Sequence, residues 1–121
     1  MLFRSIVPAP YHEMYGPEHV VAAQRNAEEK REPHPLYAGF MRHRVGEAFS
    51  RQGVREAVIP AYMGLVKQID DQLGLLFEFL RECGRQDDTL IVFTSDHGDY
   101  LGDHWLGEKD LFRSEEHTSE L

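Results

Sequence analysis

The chain has 121 residues, with 13 Lys and Arg against 21 Asp and Glu, and a formal net charge of -8 at pH 7. That length holds one domain at most, and a hydrophobic fraction of 41% is too high for a wholly disordered chain. The acidic balance excludes a general nucleic-acid binder and a polybasic membrane-surface protein. No run approaches the ~18 apolar residues of a membrane-spanning helix, and Met1 to Pro10 lacks the apolar stretch of a signal peptide. The lone Cys83 excludes an internal disulfide framework and a Cys-rich zinc site.

In chain order, Ile6 to Pro17 (IVPAPYHEMYGP) is rich in proline, which predicts loop or turn rather than helix. Val21 to Arg31 has helix-forming residues but a thin apolar face, and reads as a short exposed helix or an ordered loop. Pro33 and Pro35 break the chain again. Apolar residues at 36, 37, 40, 41, 45 and 49 predict a helix over Leu36 to Phe49. Arg51 to Gly53 is a break. Val54 to Cys83 carries the strongest signal: Tyr62, Leu65, Val66, Ile69, Leu73, Leu76, Phe77 and Leu80 follow helical spacing. Pro60 marks its first turn or a kink, and Gly84 is placed to end it. After the polar connector RQDD, Thr89 to Thr94 (TLIVFT) has the composition of a strand buried on both faces. A long helix, a turn, a buried strand and a Gly-rich loop make half of an α/β fold.

The two ends read differently. Arg113 to Leu121 (RSEEHTSEL) is polar and aperiodic, and resembles a translated sequencing-library adapter. Met1 to Ser5 (MLFRS) resembles the other adapter end. The expectation is that natural sequence runs from Ile6 to Phe112 as part of a longer protein. A frayed start and a polar tail are the alternative.

The chemistry concentrates in Ser95 to Phe112, SDHGDYLGDHWLGEKDLF. Ligands of open α/β sheets bind beyond the carboxyl ends of strands, and Asp96 and His97 follow TLIVFT directly. Gly98 would let the backbone turn there. A carboxylate and an imidazole suit a divalent cation, Zn or Mn readily and Ca less so. Equally, Asp96 reads as an Asx-turn residue and His97 as a solvated loop histidine. Lys109 is either a surface lysine or an anion contact returned to the site. His12, His19, His34 and His43 read as loop or helix-face residues, Glu28 to Glu32 as a solvated charge cluster, and Trp105 as packing against a sheet edge.

Leu90 to Lys109 resembles the metal-binding block of the sulfatases, and more narrowly that of phosphonate monoester hydrolases in the alkaline phosphatase superfamily. The pattern is a buried strand, T-S-D-H-G, then L-G-[DE]-H, then a lysine. Thr94 to Gly98, Leu101 to His104 and Lys109 fit it in register. Tyr62, Val66, Ile69, Asp70, Leu73, Gly74 and Leu80 are similar to the family's preceding helix, and Pro8 to Tyr15 to one of its loops. The resemblance implies an α/β fold of alkaline-phosphatase type. It implies one divalent metal (Ca, Mn or Zn) on Asp96 and His97, and Lys109 on the sulfate or phosphate oxygens. His104 would be a supporting acid or a solvated loop histidine. It further implies a small-molecule sulfate, phosphonate or phosphate ester as substrate, no nucleic-acid or membrane partner, and a parent compatible with a homo-oligomer.

The family's nucleophile is a formylglycine from a C-x-P-x-R motif, or a Ser or Thr. No such motif occurs here, and Cys83, followed by Gly-Arg-Gln-Asp, reads as a half-buried thiol. The expectation is therefore part of a hydrolase, inactive alone. The competing readings are a small non-catalytic α/β module that binds metal or phosphate, and an interaction protein using the Val54 to Cys83 helix as a groove ligand.

Overall fold

The computed structural model describes residues 6–109. The adapter-like ends and the boundary at Phe112 lie outside the described residues. Four α-helices occur in it: α1 (Ala27–Arg31), α2 (Pro35–Arg42), α3 (Arg44–Phe49) and α4 (Val54–Glu82). The chain divides into two compact units, one built from the chain up to Val20 with Glu56–Thr94, the other from Val21–Arg55 with the chain from Ser95 onward. No helix among the described residues is long and apolar enough to cross a membrane.

The first unit is α4 and the proline-rich segment laid on it. That segment has no regular helix or strand beyond two 3-10 turns, Tyr11–Glu13 and Pro17–His19, as its prolines predict. It crosses α4 at Gly64, where a Cβ would stand 2.5 Å from the Tyr11 carbonyl oxygen and 3.0 Å from Val7 Cγ1. The absent side chain is what permits the approach. One turn further on, Lys67 pairs with Asp71 and Asp70, and the Tyr11 hydroxyl bonds to Asp71. The hydrogen bond from Lys67 holds the Asp71 carboxyl below its ordinary range, while partial burial and Asp71 push the Tyr11 hydroxyl up.

Helix α4 spans nearly the segment its periodicity predicts. Pro60 lies inside it and supplies no N–H to the turn before it. Its C-terminus is a Schellman closure: Gly84 takes φ +65°, its N–H donates to Arg81 O at 3.0 Å, and Arg85 N–H donates to Leu80 O at 2.9 Å. The apolar stripe, however, is only partly covered among the described residues: Leu65, Leu73 and Leu80 are partly buried, while Tyr62, Val66, Ile69, Leu76 and Phe77 are exposed. Cys83 is exposed too, which corrects the half-buried reading.

The expected strand is not formed among the described residues. Thr89 to Thr94 forms no strand, and no strand forms anywhere among the described residues. Leu90 is 89% exposed, and Val92 and Phe93 76% each. The physical reason is that a strand exists by pairing. TLIVFT has the β-branched composition, but Leu90 to Phe93 pair with no strand among the described residues. Among the described residues the helix and the loop of the α/β expectation are present, and the buried strand and its sheet are not.

The second unit holds α1, α2, α3 and the loop from Ser95. Asn26 opens α1 with a capping box: its side chain accepts from Glu28 N–H at 2.8 Å, and Glu29 accepts from Asn26 N–H at 3.0 Å. The single helix expected over Leu36 to Phe49 is two. His43 is extended (φ -61°, ψ 147°) and turns α2 into α3, which come so close that a Cβ on Gly46 would lie 2.7 Å from the Phe40 carbonyl oxygen. The buried apolar side chains of this unit are Val45, Phe49, Tyr100 and Leu106.

Candidate active site

The loop from Ser95 to Lys109 is built by returning on itself. Tyr100 N–H donates to Glu108 O at 3.0 Å, and Gly102 N–H to Leu106 O at 2.8 Å. Asp103 N–H donates to Tyr100 O at 2.8 Å, and Leu106 N–H to Asp103 O at 2.9 Å. The tie between Tyr100 and Glu108 brings the backbone of Lys109 back beside the chain just after His97. The turn expected at Gly98 falls later: Gly102 takes φ +95°, and Leu101, His104, Trp105 and Glu108 take φ between +47° and +64°. Four side-chain-bearing residues in the left-handed region is a concentration of strain, on the order of 1 kcal/mol or more each, that surrounding contacts must hold.

Two arginines hold it. Arg25 Nε donates to Gly102 O at 2.6 Å, and its guanidinium also donates to Phe49 O at 2.9 Å. Arg55 donates to Leu101 O at 3.0 Å and to Val21 O at 3.1 Å, and stands 3.6 Å from the Asp103 carboxylate. Asp103 accepts in turn from Gln24 N–H at 3.0 Å. His104 donates its backbone N–H to Gln24 O at 2.7 Å, and its Nδ1 meets Glu29 Oε1 at 2.9 Å. Partial burial works against the Glu29 carboxylate, but the hydrogen bonds from His104 and the Asn26 N–H outweigh it and hold its pKa below the ordinary value. The Trp105 indole N–H donates to Asn26 O at 2.8 Å, and Arg25 and Lys30 stand 4.7 and 4.3 Å from the ring centroid. Trp105 packs on these cations, and no sheet lies beside it among the described residues.

Asp96 and His97 are exposed and adjacent, with Asp96 Oδ2 3.4 Å from His97 Nε2. His97 N–H donates to Asp96 Oδ1 at 3.0 Å, an Asx-type contact, and Ser95 Oγ donates to His97 O at 2.6 Å. His97 Nδ1 lies 2.8 Å from Gly98 O. A carbonyl oxygen only accepts, so Nδ1 is the donor in that contact, and Nε2 is the ring nitrogen that faces the Asp96 carboxylate. A carboxylate oxygen and an imidazole nitrogen 3.4 Å apart are donor types that a divalent ion accepts. Among the described residues, no group of three or more His, Cys, Asp or Glu side chains gathers to hold a metal. Lys109 is exposed and forms no ion pair among the described residues.

The structure thus brings Asp96 and His97 together, ties Glu108, the residue before Lys109, to Tyr100, and turns His104 to Glu29. The sequence reading missed Arg25 and Arg55, and took Glu29 for part of a solvated cluster. Isolated arginines in polar segments carry no periodicity. Only the capping-box spacing Asn26-x-x-Glu29 gave a signal, and it concerned the helix rather than His104.

The family model described as Sulfatase matches residues 7–119. The chain is 41% identical over 113 residues to the multifunctional alkaline phosphatase superfamily protein PehA of Trinickia caryophylli, covering 84% of this chain and 22% of that protein. It is 46% identical over 44 residues to an arylsulfatase of Clostridium perfringens, 36% of this chain and 9% of that one. With a choline-sulfatase of Rhizobium meliloti it shares 44% over 46 residues, 38% of this chain and 9% of that enzyme. The chain therefore spans about a fifth, or less, of the length of these relatives.

Proposed function

The chain belongs to the sulfatase family, and on that premise we propose that it supplies part of the catalytic site of a metal-dependent hydrolase. The bond cleaved is that of a sulfate ester, a phosphonate monoester or a phosphodiester. The observation that carries this reading is the Asp96–His97 pair, with its Nδ1 proton committed to Gly98 and its two donor atoms 3.4 Å apart. Asp96 and His97 would hold one divalent metal of the kind general to the family, Ca, Mn or Zn. Bound there, it would supply Lewis-acid polarisation of the ester and a lower pKa for the attacking group. Lys109, carried back by the Tyr100–Glu108 tie, binds a substrate oxygen and offsets the charge that develops on it. His104 is a positioning residue: through Glu29 it helps to fix the strained loop that carries Lys109. The nucleophile comes from outside this chain, so the chain alone does not turn over.

A chimera tests the reading. The 113 aligned residues of the Trinickia protein are replaced by the matching segment of this chain, and aryl sulfate and aryl phosphonate hydrolysis is measured with bound metal. Hydrolysis is expected to persist. Lys109→Ala should lower kcat by about 100-fold or more, and Asp96→Asn should lose metal. A chimera whose metal content and rate are indifferent to Asp96→Asn refutes the assignment. The 121-residue chain by itself should hydrolyse aryl sulfate no faster than its own Lys109→Ala variant.

A further inference from the structure

The second unit contains a cleft of about 570 Å³ that the hydrolase reading does not use. Its volume falls in the ordinary range of small-molecule sites, roughly 300–1,000 Å³. Lys30, Arg31 and Arg42 line it together with Met41, Trp105 and the carboxylate of Glu47. Three cations converge on one cleft in a chain whose net charge is -8. Two of the other charges there are already engaged. Arg31 stands 3.7 Å from Glu28 and 3.6 Å from Glu32, and Glu47 stands 4.0 Å from Arg51. Arg42 and Lys30 have no carboxylate at ion-pair distance among the described residues, and Lys30 rests on the Trp105 ring instead. A local concentration of unneutralised positive charge beside apolar wall is complementary to an anion with an apolar body.

We propose that this cleft binds a small organic anion, its charged group on Arg42 and Lys30 and its apolar body against Met41 and Trp105. Arg42 offers a planar fork of N–H donors suited to the oxygens of a phosphate, sulfate or carboxylate. Lys30 adds a second charge at the cost of part of its contact with the indole. The site stands independently of Asp96, His97 and Lys109.

Trp105 is the only tryptophan and lines this cleft, so its fluorescence reports on binding there. The full chain is titrated with phenyl phosphate, inorganic phosphate and phenol, and the dissociation constants are checked by calorimetry. Phenyl phosphate is expected to perturb Trp105 saturably. Phenol, which lacks the charge, and inorganic phosphate, which lacks the body, should each bind at least about tenfold more weakly. Arg42→Gln and Lys30→Gln should each weaken phenyl phosphate about tenfold. Arg85→Gln, the same charge change at a residue that does not line the cleft, should leave it unchanged. Arg42 is exposed, so its replacement leaves the unit's core intact, and an unchanged urea midpoint verifies this. Linear, unsaturable quenching overturns the proposal. So does equal affinity for phenol or for inorganic phosphate, or an Arg42→Gln variant that binds like the parent.

Discussion

Gly107→Ala is the sharpest test of how the candidate loop is held. Gly107 packs directly on α3: a Cβ there would stand 2.7 Å from both Val45 Cγ1 and Phe49 Cδ2, and 3.1 Å from Phe49 Cε2. Carbon atoms make favourable contact at about 3.5–4.0 Å, so one methyl group overlaps two side chains at once. Neither can yield easily, since Phe49 is 1% exposed and Val45 9%. Overpacking of this kind costs about 1–3 kcal/mol. With a urea slope of about 1.5 kcal/mol/M, the unfolding midpoint should fall by about 1 M. The probe is Trp105, two residues away and the sole tryptophan. Val45→Ala removes one of the clashing methyls while creating a small void. The double variant should therefore lose less than the sum of the two singles, by about 0.5 kcal/mol or more. A Gly107→Ala chain with the parent's midpoint, or single losses that simply add, would refute the packing of this loop on α3.

Three further outcomes follow from the same geometry. Glu29 has its pKa lowered in the folded chain, so its pairing with His104 stabilises above the unfolded value near 4.5 and is lost as pH falls through the lower folded value. Glu29→Gln should therefore flatten the fall of the urea midpoint below about pH 4.5, read by Trp105 emission. Gly84→Ala places a Cβ at φ +65° and should cost about 1 kcal/mol, measured as a lower urea midpoint by circular dichroism at the helix band. The exposed run Leu90 to Phe93 is an unpaired apolar β-former, so the chain should self-associate with thioflavin-positive kinetics, and Val92→Asp should slow this several-fold. Unchanged lag times in Val92→Asp would show that another segment drives association.

How much was legible in the sequence depended on the range of the interaction. The α4 boundaries were readable because apolar periodicity and a terminal glycine are local signals, and Gly84 closes the helix as a left-handed residue should. The division at His43 was not readable, because apolar spacing continues across it; what ends α2 is the extended turn and the close approach at Gly46. TLIVFT has the composition of a β-former but forms no strand among the described residues, since composition states a preference and pairing needs a partner. Asp96 and His97 were singled out because adjacency in sequence made their proximity nearly inevitable. Arg25 and Arg55 were invisible because they act across 77 and 46 residues on backbone carbonyls, which any sequence possesses.

The sequence by itself determined the local matters: where α4 runs and stops, where prolines forbid helix, which loop holds the acidic and imidazole groups, and the motif that points to the sulfatase family. These depend on backbone propensity and on residue types a few positions apart. Only the tertiary structure decided that His97 directs its Nδ1 proton to Gly98, that His104 turns to Glu29, that two arginines clamp a strained loop, and that three cations and an indole enclose a cleft. Those facts rest on hydrogen-bond direction and on contacts between distant segments, and such contacts exist only once the chain has closed on itself.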